Sequence, residues 1–344
     1  MDNLTHSLAG AVLGQLGLKK KTGLGMATLI IAANIPDIDA VSALLGGVQH
    51  LAIRRGITHG PIAMLVLPVI LTGIMIWLDG WQARCGQKRW ARPVERLPIH
   101  KGWLLALAYI GTLSHPALDW LNSYGIRLLE PFSSRWFYGD SIFIIDIWIW
   151  IALIMGVWIS RRREKRGQAN WQRPAWVSFT AICAYIFANG LITGKAEADT
   201  ALTVERRTGE VPEQVVANPM PVTFWRRDMI WQMAGQNGKE YGEAQFDLLK
   251  NEPLSWTANL VRNDASPEMV EQAKALNADA RAFLFWARLP VLLQKRQPGA
   301  GAAIKLNISD MRFQGPIAQE RFSVQAIVSG GNSLSGTDTY MGGK

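Results

Sequence analysis

Arg54-Arg55-Gly56-Ile57-Thr58-His59-Gly60-Pro61 runs directly into an apolar segment, Ile62–Leu78. A basic pair and a Thr-His pair thus stand at the mouth of a segment near the ~20 residues that a bilayer-crossing helix needs. A histidine at that position is costly unless it has a partner or a task. Three other stretches offer partners: Asp2-Asn3-Leu4-Thr5-His6, Pro36-Asp37-Ile38-Asp39 and Ser114-His115-Pro116-Ala117-Leu118-Asp119.

Four further apolar runs have a similar length: Leu24–Leu45, Gly102–Leu121, Ser141–Ser160 and Ala175–Thr193. A shorter run, Leu4–Leu18, precedes them and lacks the small-residue cleavage site of a removable signal. Together they predict a mainly α fold, a polytopic helical membrane domain over residues 1–195 with about six membrane segments. The chain carries 36 Lys and Arg against 27 Asp and Glu, a net charge of +9. A nucleic-acid partner is excluded as the meaning of this excess, because the cations gather at the ends of apolar runs, the pattern of membrane topology. Lys19–Lys21, the group Arg84, Lys88, Arg89, Arg92, Arg96 and Lys101, and the group Arg161–Arg163, Lys165 and Arg166 fall on one side if six crossings alternate. The positive-inside rule makes that side the cytoplasm, and everything after Gly194 then lies outside, in the periplasm of a bacterial inner membrane.

After residue 195 the runs become short and mixed. A small extramembrane α+β domain is expected over 196–330, with strands near Glu240–Leu249, Ala303–Phe313 and Arg321–Val328. A helix is expected over Glu268–Phe285, opened by a Ser266 cap and Pro267. Residues 331–344, rich in Gly, Ser and Thr, read as a flexible tail. The two cysteines, Cys85 and Cys183, have no pairing context and read as free thiols. Nothing in the sequence sets an oligomeric state.

Depth ties the polar groups together. Counting about 1.5 Å per helical residue from the cytoplasmic end of each run places His6, Asp37, His59, His115, Asp119 and Asp146 roughly 20 to 28 Å up, in the outer third of a core about 30 Å thick. His115 and Asp119 are four residues apart and share a helix face. Asp37 and Asp39 do not share one, but Pro36 breaks the helix and lets both turn inward. Carboxylates crowded in a low dielectric repel unless a cation neutralises them. The same crowding implies that neutralising one of them relieves the metal-free protein. An oxygen- and imidazole-rich set without cysteine suits a divalent first-row ion, Zn2+ or Mn2+, at a catalytic site, and the surplus of ligands leaves room for one or two ions.

The motifs Asp2-x-x-Thr5-His6, Pro36-Asp37-x-Asp39, Arg55-Gly56-x-Thr58-His59 and Ser114-His115-x-x-Leu118-Asp119 resemble, in order and spacing, those of the YdjM-like family. That family comprises bacterial inner-membrane proteins described as membrane-bound metal-dependent hydrolases. The resemblance covers about residues 1–195. It implies that His6, Asp37, Asp39, His59, His115 and Asp119 are the metal-site residues, and the stretch from Asp140 to Asp146 resembles the acidic segment that follows in the family. Where the family commonly has a histidine, this sequence has Arg54.

The expectation is therefore a membrane-bound metal-dependent hydrolase acting on a phospholipid or other lipid-linked ester at the outer face, with membrane lipid as its partner. Asp39 or Asp119 would be the general base for the attacking water, and Arg55, Ser114, Asn122, Ser123 and Arg127 would hold a headgroup or phosphate. The rival classes are an ion or proton pathway using the same His/Asp cluster and a non-catalytic anchor. A pathway calls for polar residues through the whole membrane depth, and the cytoplasmic half of these runs has almost none.

Overall fold

In the computed structural model, residues 1–46, 48–85, 89–235, 238–296, 303–314 and 321–329 are described. The expected tail over 331–344 and Lys88 of the second cationic group lie outside them. The chain divides into two compact units, the first made of residues 1–45, 53–231 and 242–259, the second of 46–52, 232–241 and 260–344.

The first unit is built on helices. Asp2 caps α1 (Asn3–Gln15), its carboxylate accepting from the backbone N–H of Leu4 and Thr5. The run from Leu24 does not make one helix: α2 (Gly25–Ala32) ends before Pro36, and a 3-10 stretch over Ile35–Leu45 continues with a bend of 46°. A short α3 (His50–Ile53) and a 3-10 turn, Ile57–His59, lead into α4 (Pro61–Arg84). Then come α5 (Lys101–Trp120), α6 (Ile147–Lys165) and α7 (Arg173–Thr208). In space the order is α4, α5, α2, α1, α6, α7, each packed on the next. One apolar cluster, Ala32, Leu71, Met75, Leu104 and Ala108, holds α2, α4 and α5 together. A second, containing Val12, Ile149, Leu153 and Ile182, joins α1, α6 and α7. The α2–α5 approach is close: a β-carbon on Gly111 would sit 2.6 Å from that of Ala32. The His-bearing ends of α1 and α5 therefore meet beside the end of α2.

The expectation of six membrane segments is not supported. Two helices, α4 and α7, are long and apolar enough to cross a membrane, or three spans if the bent pair formed by α2 and the 3-10 stretch counts as one. The reasons lie in the sequence. Helix α1 has 13 residues, about 20 Å, short of a core about 30 Å thick. Helix α6 starts only at Ile147 and ends in a cationic run, and α5 carries Lys101, His115 and Asp119.

Beyond α7 the chain turns to strands: β1 (Gln214–Pro219), β2 (Arg226–Gly235), β3 (Gly238–Asp247) and β4 (Leu254–Arg262) form one sheet in that order. In the second unit, β5 (Pro290–Arg296), β6 (Ala303–Asp310) and β7 (Ser323–Ser329) make an antiparallel sheet, with Leu292 opposite Ile308 and Leu306 opposite Ala326. Helices α8 (Pro267–Leu276) and α9 (Ala278–Trp286) pack on β7. Ser266 caps α8 with Pro267 in its first turn, but the single helix expected there is two, because Asn277 ends one and caps the next. Helix α7 itself continues past residue 195, to Thr208.

Candidate metal centre

The turn before α4 is set by close contacts and by one carboxylate. Arg55 adopts a left-handed backbone with φ 53°, a conformation that costs a non-glycine residue energy unless its surroundings hold it. Asp39 holds it: Oδ2 accepts from the Arg55 N–H at 2.7 Å and from the Thr58 hydroxyl at 3.0 Å. On the other side the Arg55 carbonyl accepts from the Arg127 N–H. Gly60 is required where the turn meets the loop after α5, since a β-carbon there would lie 1.8 Å from the carbonyl oxygen of Glu130.

This turn fixes the protonation of His59. The Thr58 hydroxyl donates its one hydrogen bond to the Asp39 carboxylate, an acceptor, so the contact of 2.9 Å between Thr58 Oγ1 and His59 Nδ1 is donated by the imidazole. His115 is fixed likewise, Nδ1 donating to the Ala33 carbonyl at 2.7 Å, at the end of α2. Both rings therefore present an unprotonated Nε2 inward. Those two nitrogens and Oδ2 of Asp37 are buried without a hydrogen-bond partner. Orienting a histidine through its second nitrogen is the usual support of a metal ligand.

One donor atom from each of Asp37, His59, His115 and Asp119 lies within 4.8 Å of every other, and all four residues are buried. Asp119 Oδ2 is 3.6 Å from His59 Nε2 and 3.5 Å from His115 Nε2, and His115 Nε2 is 3.7 Å from Asp37 Oδ1. Bonds of about 2.0–2.2 Å around a tetrahedral ion place neighbouring donors about 3.3–3.6 Å apart. The residues thus fit a divalent ion, by donor chemistry and by separation. No cysteine takes part.

His6 stands at the edge of the group. Its ring stacks on His115 at 3.7 Å, and Nε2 lies 3.3 Å from Asp119 Oδ1. Its neighbour Thr5 bonds Asp2 and receives the indole N–H of Trp150, which ties α1 to α6. Asp39 joins the group through Thr58 and His59 rather than as one of the four donors. Asp146 is placed apart: Oδ1 caps α6 and Oδ2 accepts from the Tyr185 hydroxyl at 3.0 Å. The count to it runs along α6, which is helical, so its depth agrees without bringing it into the group: α6 packs on α1 and α7 rather than on α5.

The residues expected to hold a headgroup are largely occupied. Buried Arg55 makes a two-pronged pair with Asp119, Nε to Oδ2 at 2.8 Å and Nη2 to Oδ1 at 3.0 Å, and also bonds Asn122 and the Gly125 carbonyl. The backbone nitrogen of Met1 also contacts Asp119 Oδ1. Asn122 accepts in addition from the Tyr124 N–H, Ser114 donates back to Gly111 in its own helix, Ser123 is buried, and Arg127 pairs with Glu130 and the Ile53 carbonyl. The residue missed by the sequence reading is Arg54. Nη2 bonds Asp37 Oδ1 at 2.8 Å and Nε lies 3.6 Å from Asp39, while the side chain stays 29% exposed. Its position two residues outside the Gly-x-Thr-His turn was the available signal.

The family model of the YdjM inner membrane protein matches residues 1–196, more than half of the chain and all four donors. The chain belongs to the YdjM inner membrane protein family. No curated protein and no solved structure matches it. For a YdjM family member, inner-membrane residence accords with the apolar length of α4 and α7.

Proposed function

We propose that this YdjM family member is a membrane-bound, metal-dependent hydrolase whose substrate is a phospholipid or another lipid-linked ester. The observation that carries the reading is the buried group Asp37, His59, His115 and Asp119, with both imidazoles pre-oriented by Ala33 and Thr58. A divalent ion held there would supply Lewis acidity toward a water and a phosphoryl or carbonyl oxygen. Zn2+ suits four N and O donors, with Mn2+ second.

The chain's own residues take the remaining tasks. Asp119 is committed to the donor set and to Arg55, so Asp39, with Oδ1 free of hydrogen bonds, is the better placed to take a proton from the attacking water. Arg54, partly exposed beside Asp37, is the cation that an incoming phosphate would meet. The elements carrying Asp37, Asp39 and His59 turn Ile38, Val41, Leu44 and Ile57 outward, an apolar rim suited to acyl chains. Lys19 pairs with Glu164 and the His100 N–H donates to Thr22, so the three cationic clusters gather at one end of the helices; with that end cytoplasmic, the site falls toward the outer face of the inner membrane, and α7 carries the C-terminal region to the periplasm.

Protein purified without chelator should carry about one divalent ion per chain. It should hydrolyse some component of a mixed phospholipid extract, and a chelator should abolish this. Folded wild-type protein that binds no divalent ion and turns over nothing metal-dependently would refute the reading.

A further inference from the structure

A groove runs along the seam of α6 and α7, away from the metal centre. The two helices run antiparallel and pack very closely at one level. A β-carbon on Gly156 would sit 2.5 Å from that of Ser178, and the Ser178 hydroxyl donates to the Ala152 carbonyl at 2.6 Å. Such close backbone contact between small residues is how helices associate where lipid offers no hydrophobic drive. It also leaves space on the flank of the seam. A cavity of about 420 Å3 opens there, walled by Ala152, Met155, Ile159, Val177 and Ala181, with Arg163 from α6 and Arg173 from α7 at one end.

The charges decide what belongs in it. Glu164, next to Arg163 in sequence, is taken by Lys19. Neither Arg163 nor Arg173 pairs with an acid among the described residues. The polar end is also the aromatic one, since Trp158 and Trp176 are both at least half exposed, as at a headgroup level. From Ala152 to Arg163 the groove is about 16 Å long, apolar toward one end and doubly cationic at the other. From this we infer that the groove binds an anionic phospholipid, its phosphate held between Arg163 and Arg173 and an acyl chain along the seam. A lipid joins an anion and an acyl chain in one molecule, matching both ends of the groove, whereas a peptide helix or a second copy of the chain would need an acid placed at just this level. A zwitterionic lipid would bring its own cation with the phosphate.

The test uses the full chain in nanodiscs of phosphatidylcholine doped with phosphatidylglycerol, with native mass spectrometry to count the lipids retained. Wild type should retain phosphatidylglycerol over phosphatidylcholine. Each arginine near an anionic headgroup is worth roughly fivefold, so Arg163→Gln with Arg173→Gln should weaken phosphatidylglycerol retention about thirtyfold and leave phosphatidylcholine unchanged. Exposed Ala181→Phe should block the groove with the charges intact and reduce retention similarly. As a control, Arg161→Gln with Arg166→Gln removes the same charge from the neighbouring depression beside Trp158 and should change little. The inference fails if wild type shows no preference, if the groove pair retains the lipid normally, or if the control pair loses as much, which would make the effect general surface charge. A dimer lost on Ala181→Phe would overturn it too, assigning the groove to a second copy. Metal content stays at the wild-type level in every variant, so this result stands apart from the hydrolase reading.

Discussion

Thr58 Oγ1 lies 2.9 Å from Nδ1 of His59, its neighbour in sequence, and donates its own hydrogen bond to Asp39. The Thr-His pair is thus a small relay: the hydroxyl selects the tautomer, and the imidazole turns its lone pair to the other donors. Thr58→Val keeps the shape and removes the relay. Divalent-ion affinity should fall about 10- to 100-fold, and Thr58→Ser should restore it. Titration of metal-depleted protein with Zn2+ checks both; unchanged affinity in the valine variant would remove Thr58 from the centre.

Asp119→Asn should destabilise the metal-free protein. The buried Arg55 guanidinium would lose its charged partner, and breaking such a pair costs about 3–5 kcal/mol. The sequence reading gave the opposite sign, because it counted crowded carboxylates without the arginines among them. Thermal unfolding of wild type and variant, both treated with chelator, separates the two; a raised melting temperature for the variant would restore the like-charge account.

Gly60→Ala places a methyl group onto the Glu130 carbonyl, backbone against backbone, with no flexible side chain to give way. The turn must then shift, carrying His59 with it. The variant should lose bound metal and show a lower melting temperature. Gly73→Ala, in α4 with open space around it, should keep the metal and not lower the melting temperature.

In the second unit, burial alone would raise the Asp310 carboxyl. The Arg312 guanidinium and the N–H groups of Arg288, Leu289 and Arg312 outweigh it and hold the group below the ordinary carboxylate range. A depressed folded pKa stabilises fully above the unfolded value of about 3.9 and is lost as pH falls through the lower folded value. Hydrogen exchange of β6, corrected for intrinsic rate, should therefore accelerate below about pH 4. Asp310→Asn should show faster exchange already at neutral pH, because the buried Arg312 guanidinium loses the carboxylate charge of Asp310. Exchange equal to wild type at pH 7 would contradict this.

Spacing made the His115–Asp119 face legible in the sequence, and Pro36 made legible the break that turns Asp37 and Asp39 inward. What escaped were pairings between distant residues: Arg55 with Asp119, Arg54 with Asp37, and the Ala33 carbonyl beneath His115. Hydropathy also counted Ser141–Ser160 as one span, although Asp146 spends its carboxylate capping α6 partway along it. The strands β1, β2, β4 and β5 went unread because each mixes polar and apolar residues over a short length, and their partners are what select the extended state.

Helix α7 runs unbroken for 36 residues. That is a rod about 54 Å long, against a hydrocarbon core about 30 Å thick. The family match ends at residue 196, inside this rod, where Ala196, Thr200 and Val204 are still buried. A boundary drawn from sequence similarity is therefore not a seam in the molecule. A fragment cut there would amputate the helix mid-length and strip the cover from its packed face, so an expression fragment of the helical region should carry the chain at least past Thr208, where Gly209 lets the backbone turn left-handed and stop.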